Sequence, residues 1–113
     1  MSNSKPLILI VEDEAGIREA ISIYLQETGI DSVTACNGKE GLEAFRKTPD
    51  ISCIIADIMM PELDGFSMVE EIRKVSDIPV LFLSAKAQDF DKVRAFNLGA
   101  DDYLTKPFSS MEL

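Results

Sequence analysis

The stretch Cys53-Ile54-Ile55-Ala56-Asp57-Ile58-Met59-Met60-Pro61 limits the possible folds of this chain more than any other. Apolar residues run without a break into an aspartate. A run of this kind, with no polar face, reads as a strand covered on both sides of its sheet. Open parallel sheets keep their ligand crevice at the carboxyl ends of the strands, so Asp57 is placed where a ligand would sit. Two more runs end in polar groups: Leu7 to Val11 delivers Glu12, Asp13 and Glu14, and Val80 to Leu83 delivers Ser84 and Ala85. A shorter run ends in Tyr103-Leu104-Thr105-Lys106-Pro107. These ends are expected to converge into one acidic, cation-dependent site with Asp57 as its nucleophile.

Between the strands, apolar residues recur at helical spacing. Glu14 begins a first helix with Ile17, Ala20, Ile21, Tyr24 and Leu25 on its inner face, and Gly29 stops it. Asp31 to Ala35 reads as a shorter, more exposed strand, followed by a turn at Asn37-Gly38. Leu42 and Phe45 mark a second helix closed by Pro49. Ile51 to Asp57 is the central strand, and Met68, Val69, Ile72 and Val75 give a third helix. Ile78-Pro79 opens the fourth strand, where proline is tolerated. Asp89 to Leu98 is a fourth helix ended by Gly99, and Asp101 to Thr105 a fifth strand. Ser109 and Glu112 form a capping box for a fifth helix that the sequence leaves truncated at Leu113. Strictly alternating strands and helices imply an α/β fold, a mostly parallel sheet with helices on both faces. The expectation is one domain over residues 1–113.

Composition removes several function classes. Twenty acidic residues stand against eleven basic, a formal charge of −9. That argues against direct nucleic-acid binding, which needs a basic footprint. The chain has no histidine, so histidine catalysis and ligation are excluded. Its two cysteines, Cys36 and Cys53, make no disulfide framework, and Cys53 reads as a small core residue. No apolar run is long enough to span a bilayer. A cytoplasmic protein that does not contact the membrane is expected.

If the first and third strands are neighbours, Glu12, Asp13 and Asp57 lie together, and their mutual repulsion needs a positive partner. The available ligands are hard oxygens, which favours magnesium (Mg2+). Asp13, Asp57 and the backbone carbonyl of Met59 are the candidate direct ligands, with Glu12 acting through a bound water. The competing reading is that Glu12-Asp13-Glu14 only caps the first helix, where negative charge is favourable. Lys106 follows a strand end on the same edge as Asp57. A unit charge pair at ~4 Å is worth about 4 kcal/mol at an effective dielectric of ~20, enough to hold a phosphoryl group. Ser84 offers a hydroxyl donor, or alternatively caps a helix. Tyr103 is either an edge-strand aromatic or a ring that reports the position of Ser84.

Together, Ile10-Val11-Glu12-Asp13-Glu14, Ile55-Ala56-Asp57-Ile58-Met59-Met60-Pro61 with Asp64-Gly65, Leu83-Ser84-Ala85, and Gly99 to Phe108 resemble the receiver domain of bacterial two-component response regulators. The likeness covers nearly the whole chain and is most like the subclass carrying a winged-helix effector. It implies a doubly wound five-stranded sheet of flavodoxin-like order 2-1-3-4-5, the known order of the chemotaxis receiver. It implies that Asp57 accepts a phosphoryl group from the phosphohistidine of a sensor histidine kinase. Glu12 and Asp13 match the magnesium-binding acidic pair, with glutamate where the family more often has aspartate. Ser84 matches the hydroxyl that bonds the phosphoryl group, Tyr103 the switch aromatic and Lys106 the site lysine. Met59 and Lys86 fall at positions expected to tune dephosphorylation. The resemblance further implies a homodimer through the fourth helix, fifth strand and fifth helix, with Lys86, Asp91, Lys92, Arg94, Asp101 and Asp102 as contributors or simply as a solvated charged surface. DNA contact would belong to a separate effector domain.

Three rivals remain. A phosphatase with an aspartyl-phosphate intermediate would generally carry a second aspartate where Met59 stands. A flavin or nucleotide carrier would want a glycine-rich loop after the first strand, which is missing. A receiver-like interaction module that is never phosphorylated would leave the acidic and basic site residues without a task.

Overall fold

In the computed structural model, residues 6–58, 60, 63–84, 97, 99 and 102–105 are described, with Ser84 and 102–105 described in their backbone only. Eight elements follow in order: β1 (Leu7–Val11), α1 (Ala15–Glu27), β2 (Asp31–Ala35), α2 (Gly38–Lys47), β3 (Cys53–Asp57), α3 (Gly65–Arg73), β4 (Val80–Ser84) and β5 (Asp102–Thr105). The strands form one sheet in the order β2-β1-β3-β4-β5, with every neighbouring pair parallel. This is the doubly wound α/β architecture implied by the alternating pattern. The fourth helix apart from Asn97, Lys106 to Phe108 and the Ser109 capping box lie outside the described residues.

Side-chain alternation along each strand builds a core on both faces of the sheet. Leu9, Val11, Ile54, Ala56, Val80 and Phe82 face one way, against Phe66, Met68, Val69 and Ile72 of α3 and the half-buried Leu42 and Phe45 of α2. Ile10, Ile55 and Leu83 face the other way, against Ile21 and Leu25 of α1. Phe66 and Phe82 meet edge to face with ring centroids 5.1 Å apart, tying α3 to β4. Each fully buried branched or aromatic side chain contributes roughly 1.5–3 kcal/mol, so the three interior strands, β1, β3 and β4, are held from both sides.

Helix ends follow local chemistry. Gly29 takes φ 84°, and the Ile30 and Gly29 amides donate to the carbonyls of Leu25 and Gln26 at 2.8 and 3.0 Å. This pairing closes α1 with a left-handed residue, as the glycine suggested. Asn37 is the N-cap of α2 rather than part of a turn, because its side chain accepts the Glu40 amide at 2.8 Å. Asp64 caps α3 in the same way, accepting from Ser67.

Several expected boundaries and faces shift. The central strand begins at Cys53, not Ile51, and Cys53 is only half buried at its start. The fourth strand begins at Val80, although the Pro79 carbonyl still accepts from Ile54 at 3.0 Å. The fifth is described over Asp102–Thr105, and Asp101 lies outside the described residues. Ala20 is exposed, since α1 buries only a narrow stripe against the sheet. Val75 is 78% exposed because α3 ends at Arg73, before the helical spacing can bring Val75 inward.

Gly65 is where packing and site geometry meet. A Cβ there would run into the carbonyl of Asp57, so only glycine lets α3 start this close to the end of β3. Gly65→Ala should therefore lower the unfolding free energy by about 1–3 kcal/mol in urea titrations. Gly16→Ala, in open space at the start of α1, should raise it by roughly 0.5–1 kcal/mol.

Candidate functional site

Parallel pairing decides which side chains meet. Val11 pairs with Ala56, so the next residues, Glu12 and Asp57, leave adjacent strands side by side. Carboxylate oxygens of Glu12, Asp13 and Asp57 all lie within 4.8 Å of one another. Glu12 is 0% and Asp57 4% exposed, whereas Asp13 is open to solvent. The cluster thus has a buried floor and one wet side. At such separations each pair of like charges repels by ~1 kcal/mol in water and up to about 4 kcal/mol at an effective dielectric of ~20. Three hard oxygen donors around one point, two of them withdrawn from water, could hold a hard metal cation.

The loop leaving β1 is pinned from several directions. The Glu12 amide donates to the Ala35 carbonyl at 3.0 Å, continuing the ladder to β2. The Glu14 amide donates to Glu12 Oε2 at 3.1 Å. Arg18 Nη1 donates to the Glu12 carbonyl at 2.8 Å. The capping reading of this acidic run finds no such bond here: the N-cap Glu14 makes no side-chain cap, and the Glu12 carboxylate accepts the amide of Glu14 itself, ahead of the helix. On the β3 side, the Ile58 amide donates to Leu83 at 3.0 Å and the Gly65 amide to Ile58 at 2.9 Å, which anchors the chain just beyond Asp57.

At the neighbouring strand end, Glu40 Oε1 accepts from the Cys36 amide at 3.3 Å and from Cys36 Sγ at 3.1 Å. The thiol bond holds the Glu40 carboxyl below its ordinary range, helped by the Cys36 amide and by the more distant Arg18 charge. The same bond, with some burial, pushes the Cys36 thiol up, which makes it a poor nucleophile.

Of the other sequence-derived candidates, Ser84 ends β4 and pairs with Thr105, the last residue of β5, while Asp57 pairs with Leu83. The ends of β3, β4 and β5 therefore share the carboxyl edge of the sheet. Tyr103 lies in β5 opposite Phe82, described in its backbone only. Met59, Lys86 and Lys106 lie outside the described residues. Arg18 escaped the sequence reading. A signal for it existed, because a cation near the start of a helix opposes the helix dipole and so invites a search for a specific partner.

The sequence profile of the response regulator receiver domain matches residues 8–113. This chain belongs to that family. Among relatives, it is 44% identical over 113 residues to "Probable transcriptional regulator ycf27" of Pyropia yezoensis, covering 100% of this chain and 46% of that protein. It is 42% identical over 106 residues to "Transcriptional regulatory protein CpxR homolog" of Haemophilus influenzae, covering 94% of this chain and 46% of that protein. The chain thus spans less than half the length of these curated relatives. The solved receiver domain of the Francisella response regulator 1452 superposes with a TM-score of 0.88 at 39% identity, covering 96% of this chain and 89% of that one. A response regulator receiver protein from Pseudomonas putida gives 0.92 at 28% identity, covering 98% and 93%. Among the described residues, no helix of this receiver domain is long and apolar enough to cross a membrane.

If repulsion within the cluster is relieved by a cation, Asp13→Asn should have two effects. Melting in chelator should rise, by up to about 1 kcal/mol for this exposed member. The further rise produced by adding magnesium should shrink. Paired thermal melts with and without magnesium measure both.

Proposed function

We propose that residues 1–113 are the phosphoacceptor domain of a phosphorylation-activated signalling switch that controls a transcriptional effector domain. The observation that carries this reading is the meeting of Glu12, Asp13 and Asp57 within 4.8 Å at the carboxyl edge of the sheet. Asp57 attacks the phosphorus of a sensor kinase phosphohistidine. A new carboxylate-oxygen–phosphorus bond forms as the phosphorus–nitrogen bond breaks. Its electron pair stays on the imidazole, leaving an acyl phosphate on Asp57.

Asp13, Asp57 and the Met59 carbonyl would hold Mg2+, with Glu12 acting through a water. Bound there, the ion supplies charge neutralisation for the spreading negative charge of the transferring group. Lys106 gives a fixed positive charge to the phosphoryl oxygens, and Ser84 donates a hydroxyl to them. Ser84 is drawn toward the phosphoryl group, Tyr103 fills the space it leaves, and the fourth helix, fifth strand and fifth helix become the homodimer face. DNA is contacted by the effector domain, outside these residues, in the cytoplasm. The domain catalyses only its own phosphorylation and slow dephosphorylation, with Met59 and Lys86 setting the rate. An aspartyl-phosphate phosphatase is disfavoured because Met59 cannot act as the general acid such an enzyme needs.

Incubation with a small acyl phosphate and magnesium, followed by intact mass, tests the reading. One stable phosphoryl adduct, absent in Asp57→Asn, is expected. An adduct retained in that variant would refute Asp57 as acceptor. Sustained turnover of phosphate esters would point to a phosphatase instead, and no adduct at all to an unphosphorylated module. Met59→Asn, which places an amide able to orient water, should shorten the adduct's lifetime, and an unchanged decay would count against the role of Met59.

A further inference from the structure

Glu12 and Asp13 are consecutive, so the peptide plane between them sets where both carboxylates start. That plane carries the Glu12 carbonyl. Glu12 itself is held at three points: its amide by Ala35, its carboxylate by the Glu14 amide, and its carbonyl by Arg18. The first two bonds use main-chain groups of neighbouring segments. The third comes from a side chain outside the acidic cluster, reaching back six residues from the first turns of α1 at 2.8 Å.

We propose that Arg18 is a positioning residue of the cation site, orienting the Glu12–Asp13 peptide so that both carboxylates face Asp57. A guanidinium donates with fixed planar geometry, which suits the direction of one carbonyl better than a flexible ammonium would. Glu40, at the start of α2, also feels the Arg18 charge. Arg18 is half buried within α1, which limits the directions its head can take. Outer groups that orient ligands typically change metal affinity by about tenfold or more when removed.

The inference rests on the acidic cluster binding a divalent ion, and the experiment separates the two claims. Binding of Mn2+ to the folded chain is measured by titrating the free-ion resonance signal, for wild type, Asp13→Asn and Arg18→Met. Wild type should bind, and Asp13→Asn should bind more weakly; failure of either refutes the cation site itself. With those in place, Arg18→Met should bind about tenfold more weakly. Charge alone predicts the opposite sign, because deleting a nearby positive group makes the site more attractive to a cation. Tighter or unchanged binding by Arg18→Met would therefore overturn the positioning role while leaving the site intact. Melting in chelator gives the purely structural contribution, which shifts folded-state affinity in neither direction. Arg18→Gln, polar and helix-favouring, gives the same readout should the methionine variant prove insoluble.

Discussion

The parallel pairing of β1 with β3 is the constraint on which everything else in this domain depends. Val11 opposite Ala56 places the acids that follow each strand next to one another. A slip of one residue would turn each strand over, sending Leu9 and Val11 to the face of Ile10. Both faces are packed, so such a slip would leave large side chains without their cavities. The register is over-determined by apolar packing, and packing supplies the free energy to hold three carboxylates together against their repulsion.

The neighbourhood of the cluster shows how that repulsion is contained. The floor is dry, with Glu12 and Asp57 buried, while Asp13 stays wet. Main-chain bonds to Ala35, Leu83 and Ile58 stop the loops from relaxing outward. Gly65 brings α3 against the Asp57 carbonyl, and Asp64 caps that helix, so the end of β3 is braced from outside the sheet.

Membership of the receiver family fits a division of labour visible in the molecule. Among the described residues, the buried clusters on the two faces of the sheet are apolar, and the acidic cluster stands at the carboxyl ends of β1 and β3. Substitutions along the core would then alter stability, whereas substitutions at the strand ends would alter affinity and rate. Arg18 braces the β1 end, and Asn37 and Glu40 the β2 end, without belonging to the acidic cluster.

Much of this was legible in the residues. Runs such as Leu7–Val11 and Ile54–Ala56 mark buried strands whatever surrounds them, and Gly29 ends a helix through its own backbone freedom. Asp57 at the end of such a run is a local fact too. Periodicity was a weaker guide at helix margins: Ala20 and Val75 fit the apolar spacing, yet one faces water beside a narrow contact and the other lies past the end of α3. Asn37 looked like a turn because capping and turning use the same residue types, and only the Glu40 amide distinguishes them. The chain alone therefore determined its alternating elements, its acidic strand ends and its lack of imidazole chemistry, since these depend on local pattern and residue type. Tertiary structure decided which strand ends are neighbours, which acids are dry, and that Arg18 reaches the carbonyl of Glu12, because those depend on strand register and helix placement, which local pattern does not encode.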